Sequence, residues 1–288
     1  NSKRQAYLEA KENVDDLTLE LNSNRYGNAW PYPKLWSKTD FDASAKSLMI
    51  VQKKLFGNPL LFHFVLTGVA DNEQTKSLIK EYFASLPVYA SREEKKVVLK
   101  HNIPKEISET WADSQSLDHW NVYIPLESTS ENYWYAEALS DLINQRLLNA
   151  LREKSGATYA VYSSHTISQL QGLMMGFSYR SSTKLCQQAA LITAAEITRL
   201  RYEAPSLDEV QSVRDKLRKS IEEQANNPMQ YADMVSWHWV ANNSLNGSKP
   251  QLDKLTPTLL YDLANKWLKP SNWNVAACYG GVDLSTWR

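Results

Sequence analysis

A long helical hydrophobic period at residues 133–154, with strand-like segments on both sides, limits the fold of this chain more than any other feature. Its apolar positions Leu139, Leu142, Ile143, Leu147, Ala150 and Leu151 fall three and four apart, so they line one face that must be buried. Before it stand strand candidates at residues 97–102, 107–112 and 119–124. After it come residues 158–164 and 173–179, read as a hairpin. A helical pattern follows at residues 185–200. Ser206-Leu207-Asp208-Glu209 is a capping box, and the helix behind it is expected to bury Val210, Val213, Leu217 and Ile221. Pro228 and Pro257 stand where first helical turns begin, behind Asn227 and Thr256. Residues 273–279 close with a strand. Strands, helix, strands, helices, strand is the order of an α+β fold, a largely antiparallel sheet with helices packed on one face.

The front of the chain reads differently. Residues 1–22 form a polar helical pattern with Tyr7, Leu8, Val14, Leu17 and Leu21, broken by turn formers and by Pro31 and Pro33. Residues 41–56 carry Leu48, Met49, Val51 and Leu55 at helical spacing, and Gly57-Asn58-Pro59 ends the stretch. Residues 60–67 (LLFHFVLT) are an almost unbroken apolar and β-branched run, which predicts a central strand buried on both faces, with His63 as a core histidine. Gly68 follows, and Asp71-Asn72-Glu73 opens a helix with Leu78, Ile79, Tyr82, Phe83 and Leu86 on one face, stopped by Pro87. That order predicts a helix laid on a sheet. Residues 90–96 (ASREEKK) are polar and lack apolar periodicity, as a linker does. The division it implies is residues 1–92, the C-terminal portion of an α+β domain truncated at its front, and residues 93–288, a complete α+β domain. The chain begins with Asn, not Met, and is expected to be a fragment or a processed chain.

Composition narrows the function classes. Lys+Arg and Asp+Glu both total 32, and there is no polybasic block, so nothing argues for a nucleic-acid or anionic-membrane partner. No apolar run is long enough to cross a bilayer. Cys186 and Cys278 are too few for a disulfide framework, have no metal-ligand spacing, and leave the redox compartment open. The histidines His63, His101, His119, His165 and His238 form no H-x-x-E-H or H-E-x-x-H pair and no Cys/His cluster, so no metal ligand is assigned on this chain. There is no G-x-S-x-G elbow, P-loop or G-x-G-x-x-G, and no cofactor-binding residue is assigned.

One local feature stands out, residues 151–159 (LREKSGATY). On one reading it is a helix stop, with cations in the last turn complementing the macrodipole, Gly156 as left-handed cap and Tyr159 starting a strand. On the other, Arg152 and Tyr159 stand on either side of a tight turn and aim two hydrogen-bond donors at one spot. Donors so placed can hold an extended backbone or a developing oxyanion.

The same stretch resembles the segment L-R-E-x-x-G-x-x-Y-x-V of the insulinase/pitrilysin zinc metallopeptidases, the inverzincins, matched here by Leu151, Arg152, Glu153, Gly156, Tyr159 and Val161. Residues 62–87 look like the strand–Gly–Asp–helix–Leu-Pro segment that closes the family's preceding domain, and residues 206–210 are similar to the start of its penultimate long helix. The resemblance spans residues 40–280 and is nearest to the large periplasmic PqqL-like bacterial members. It implies a clamshell of two related halves, each of two α+β domains. The N-terminal half of the same polypeptide would carry H-x-x-E-H, a distal Glu and the zinc. This chain, the C-terminal region, would close over a peptide or protein substrate. Arg152 and Tyr159 carry over as catalytic residues, Tyr159 bonding the scissile carbonyl or tetrahedral intermediate and Arg152 fixing the peptide beside it. Lacking H-x-x-E-H, the chain alone is expected neither to bind zinc nor to cleave peptides, and the resemblance places the parent in the periplasm. The alternatives are a non-catalytic peptide-binding or scaffold subunit of the same superfamily, and an unrelated α+β binding module.

Overall fold

The computed structural model of the chain describes residues 45–57, 62, 64–86, 106–109, 115–168, 172–242 and 251–278. The helical reading of residues 1–22, the strand reading of 97–102, the linker at 90–96, His63 and His101 lie outside the described residues.

The long helical period becomes α3, Ser130–Leu148, started by Thr129, whose side chain accepts from the Asn132 backbone N–H. Leu139, Leu142, Ile143, Leu147, Ala150 and Leu151 are all buried, as the spacing requires. Ahead of it come helices α1, Ala45–Phe56, and α2, Glu73–Tyr82, then strands β1, Glu106–Glu109, and β2, Gln115–Ile124. Behind it, β3, Thr158–Ser168, and β4, Gly172–Ser182, form the hairpin. Helices α4, Cys186–Tyr202, α5, Leu207–Asn226, α6, Pro228–Asn242, and α7, Pro257–Trp267, precede the closing strand β5, Trp273–Cys278.

The sheet runs β1-β5-β2-β4-β3, parallel only between β1 and β5. Register puts Trp120 between Phe177 and Val275, and Val122 between Met175 and Trp273. These six side chains are buried and share one core with α3, α4, α5 and α7. The helices therefore pack on one face, the α+β arrangement expected. Trp120 and Trp273 meet edge to face at 6.4 Å, and the Trp273 indole donates to the Leu268 carbonyl at 3.1 Å. A buried indole needs such a partner. The capping box forms in full at Ser206 and Glu209. Val210, Val213 and Leu217 are buried, whereas Ile221 is only half-buried because α5 leaves the core in its last turns.

Two expectations fail. Residues 64–67 are in no strand, and Phe62, Phe64 and Leu66 are exposed rather than buried on both faces. α2 buries none of its residues, so the helix laid on a sheet is not present among the described residues. The physical reason is that an apolar run becomes a central strand only when neighbours supply ladder hydrogen bonds, and no described strand flanks this one. The run and the helix do touch, through Phe64 and Phe83 at 4.8 Å. Cys186, at the start of α4, is disulfide-bonded.

Candidate functional site

The α-helical hydrogen bonding of α3 stops at Leu148, and Asn149–Lys154 continue it as a π-helical turn. Ser155 N–H reaches the Ala150 carbonyl at 3.2 Å, five residues back, and Ala157 N–H reaches Leu151 at 2.8 Å. Gly156 takes φ +64, the left-handed conformation that ends the helix. Immediately beyond, the β3–β4 register shifts between Thr158 and Val161, so Tyr159 and Ala160 sit in a bulge. A π turn adds a residue to a helix and a bulge adds one to a strand, and each re-aims the side chain beside it.

The result is that Arg152 and Tyr159, seven residues apart, come together. The guanidinium of Arg152 lies 5.0 Å from the centre of the Tyr159 ring, with its Nε also 3.4 Å from the Glu153 carboxylate. Tyr159 is 82% exposed. Both predicted residues thus stand in one exposed corner. A guanidinium stacked on a ring keeps its in-plane N–H donors available. The corner sits on an edge strand, because β3 pairs only with β4 among the described residues. Tyr162 lies exposed two residues beyond the bulge.

Six residues before Arg152, Arg146 fixes this end of α3. It is buried and donates twice to Glu209, at 2.6 and 3.0 Å. Glu209 Oε2 also accepts from the Ser206 backbone N–H. Partial burial alone would raise the Glu209 carboxyl, but the hydrogen bonds from Arg146 and Ser206 outweigh it and hold the group below its ordinary value. The capping box was legible in sequence; its second use, clamping α3 to α5, was not.

Sequence reasoning also missed a cluster at the other end of α3. There Ser130 Oγ lies 2.5 Å from His238 Nδ1, deep in the core. Trp134 stacks on His238 at 5.5 Å, and Tyr133 meets Trp237 at 4.4 Å. The one sequence signal was the tripeptide Trp237-His238-Trp239. Nearby, His165 Nε2 lies 3.1 Å from Glu137 Oε2. Among the described residues no three His, Cys, Asp or Glu side chains gather as a metal group, so those residues do not fit zinc.

An α+β scaffold with helices on one face of a largely antiparallel sheet agrees with a family match. The description "Peptidase M16 inactive domain" matches residues 44–217, more than half of the chain. The chain belongs to the M16 peptidase family. No curated protein matches it. Among solved structures this M16 chain is similar to the periplasmic protease PqqL from Escherichia coli (TM-score 0.77, 15% identity), over 97% of this chain and 32% of that one. It is also similar to a peptidase M16 inactive domain from Pseudomonas fluorescens (TM-score 0.70, 16% identity), over 91% of this chain and 64% of that one. A third is the ferredoxin protease FusC in complex with Arabidopsis ferredoxin (TM-score 0.69, 14% identity), over 91% of this chain and 29% of that one. At these identities the likeness is one of fold. The M16 chain spans about a third of PqqL.

Proposed function

We propose that this M16 inactive domain is the substrate-clamping part of a zinc metalloendopeptidase, with Arg152 and Tyr159 as the residues that hold the substrate. One observation carries the reading: a π turn and a β-bulge on either side of Gly156 bring Arg152 over Tyr159 in an exposed corner of an edge strand. Local irregularity of this kind costs stability and persists where geometry is needed. In this reading an extended peptide lies along the outer edge of β3, which no described strand covers, and adds a further strand there. Tyr159 then donates to the scissile carbonyl or its tetrahedral intermediate, and Arg152 fixes the peptide backbone beside it.

Zinc, which polarises the scissile carbonyl and activates water in such enzymes, would be held by the N-terminal half of the same polypeptide. The residues of this chain contribute only binding and orientation. Residues 1–92 are then the back of one α+β domain and residues 93–288 a complete second one. Two facts support a periplasmic location: the PqqL protease of similar fold is periplasmic, and Cys186 is disulfide-bonded, which an oxidising compartment permits.

Tyr159→Phe in the full-length protein tests the role. Loss of one such donor costs about 3–4 kcal/mol of transition-state stabilisation, a fall in kcat of about 10²- to 10³-fold, with zinc content unchanged. Undiminished turnover overturns it. The alternative is a non-catalytic subunit that binds peptides along β3; it predicts peptide binding by a full-length protein without turnover.

A further inference from the structure

Between the first turn of α3, the end of α5 and α6 lies a cavity of about 520 Å³, within the range of about 300–1,000 Å³ typical of ligand sites. It is remote from the Arg152 corner, and no step assigned to that corner uses it. Its inner wall is aromatic, with Tyr133, Trp134 and Trp237 among the lining residues. Tyr133 and Trp134 stand nearly at right angles, 84° at 5.1 Å, and Tyr133 and Trp237 are tilted by 43° at 4.4 Å. The ring planes thus point in more than one direction, with one face of Trp134 already stacked on His238. At the mouth stand two exposed carboxylates, Glu223 from α5 and Asp233 from α6. No lysine or arginine is among the described lining residues. Among the described residues Asp233 has no ion-pair partner, and Glu223 meets only the exposed Lys219 at a loose 3.8 Å. His238, also in the wall, is neutral near pH 7, because burial pushes it down to about 4. Nothing in the described wall repels a cation.

We infer that this cavity binds the basic side chain of a peptide, a lysine ammonium or arginine guanidinium set against the Tyr133, Trp134 and Trp237 rings and neutralised by Glu223 and Asp233. Aromatic faces carry the negative side of a quadrupole, and a cation within about 6 Å of a ring centre is attracted to it. An apolar occupant would leave Asp233 with no ion pair among the described residues and Glu223 with only its loose contact to Lys219. A lysine stem is apolar along its length and charged at its tip, which suits a cavity with both kinds of wall. The inference does not rest on the clamping role of Arg152 and Tyr159 and survives its failure.

The test uses the 288-residue chain and three short peptides, with binding followed by tryptophan fluorescence, since Trp134 and Trp237 line the cavity. One peptide is acetylated and amidated around a central lysine; the second replaces that lysine with norleucine; the third is the norleucine peptide with a free N-terminus. The blocked lysine peptide is expected to bind roughly 10-fold more tightly than its norleucine counterpart. The double variant Glu223→Gln, Asp233→Asn should bring the two within about 2-fold. Both positions are exposed, so this variant is expected to fold, and its circular dichroism should match the parent. Trp237→Phe should keep the preference in weakened form. Equal binding of the two blocked peptides, no binding of either, or a preference unchanged in the double variant would each overturn the assignment. Binding of the free-terminus peptide alone would overturn it too, assigning the cavity to a chain terminus.

Discussion

The two ends of α3 lie about 28 Å apart by helix rise and are built by opposite means. At the C-terminal end backbone irregularity does the placing: a π turn, a left-handed glycine and a bulge deliver Arg152 and Tyr159 to solvent. At the N-terminal end side-chain packing does it, with Ser130, Trp134 and His238 buried against one another. Where the backbone sets a site, its exposed side chains can change with little effect on stability. Where packing sets it, side-chain changes act on stability and binding together. The Arg146–Glu209 clamp belongs to the second kind although it serves the first end.

That clamp gives the largest expected effect. Arg146→Ala strips a buried partner from Glu209 and loosens α3 from α5, and breaking buried pairs costs about 3–5 kcal/mol. Because Glu209 is 31% exposed, the lower end, about 3 kcal/mol, is expected from urea denaturation of the chain. A cost below about 1 kcal/mol would show that the π-turn end is not held by this pair.

The second effect is a pH dependence arising at the packed end. Burial pushes His165 and His238 down to about 4 and Glu137 up to about 7, with Asp141 adding to the rise and Lys216 opposing it. Unfolded histidine titrates near 6.5. The two histidines therefore contribute stability that is complete above about pH 6.5 and is lost as the pH falls toward 4. Glu137 acts with the opposite sign: its contribution is complete below about pH 4.5 and is lost as the pH rises through 7. Two groups against one make the urea midpoint climb from pH 4.5 to 6.5 and then level or decline. Glu137→Gln should remove the decline, and His238→Gln should make the climb shallower. A midpoint that falls steadily from pH 4.5 to 6.5 would contradict both burials.

What could be read in advance follows from the range of the forces. The inward face of α3 and the Ser206 capping box depend on residues three or four apart, so spacing shows them. The alternation at His119–Ile124 likewise marked a half-buried strand, because side-chain period is local. Strand order is not local: nothing in residues 106–109 says that they pair parallel to β5, or that β3 ends up at an edge. The run at residues 60–67 shows why hydrophobicity misleads. It states that the residues favour burial, not that neighbouring strands are there to bury them. The Arg152–Tyr159 pair was legible from the tight turn between them and through a resemblance, but the π turn and the bulge that bring them together were not, since both are shifts of hydrogen-bond register without a compositional mark. The aromatic cavity was hidden for another reason, its wall being gathered from residues 133–134, 220–224 and 230–238.

Two substitutions at the exposed end carry the smallest stability effects and separate the two kinds of site most sharply. Gly156→Ala places a β-carbon at φ +64 with nothing within 4 Å to clash with it, so only the backbone preference opposes it, about 1 kcal/mol. Tyr159→Phe goes further: removing one hydroxyl from a residue 82% exposed should shift stability by less than about 0.5 kcal/mol. If kcat falls about 10²- to 10³-fold while the urea midpoint stays still, backbone placement at this end serves chemistry and not folding. If Tyr159→Phe lowers stability and leaves turnover alone, the corner is a helix stop, and the contrast between the two ends of α3 disappears.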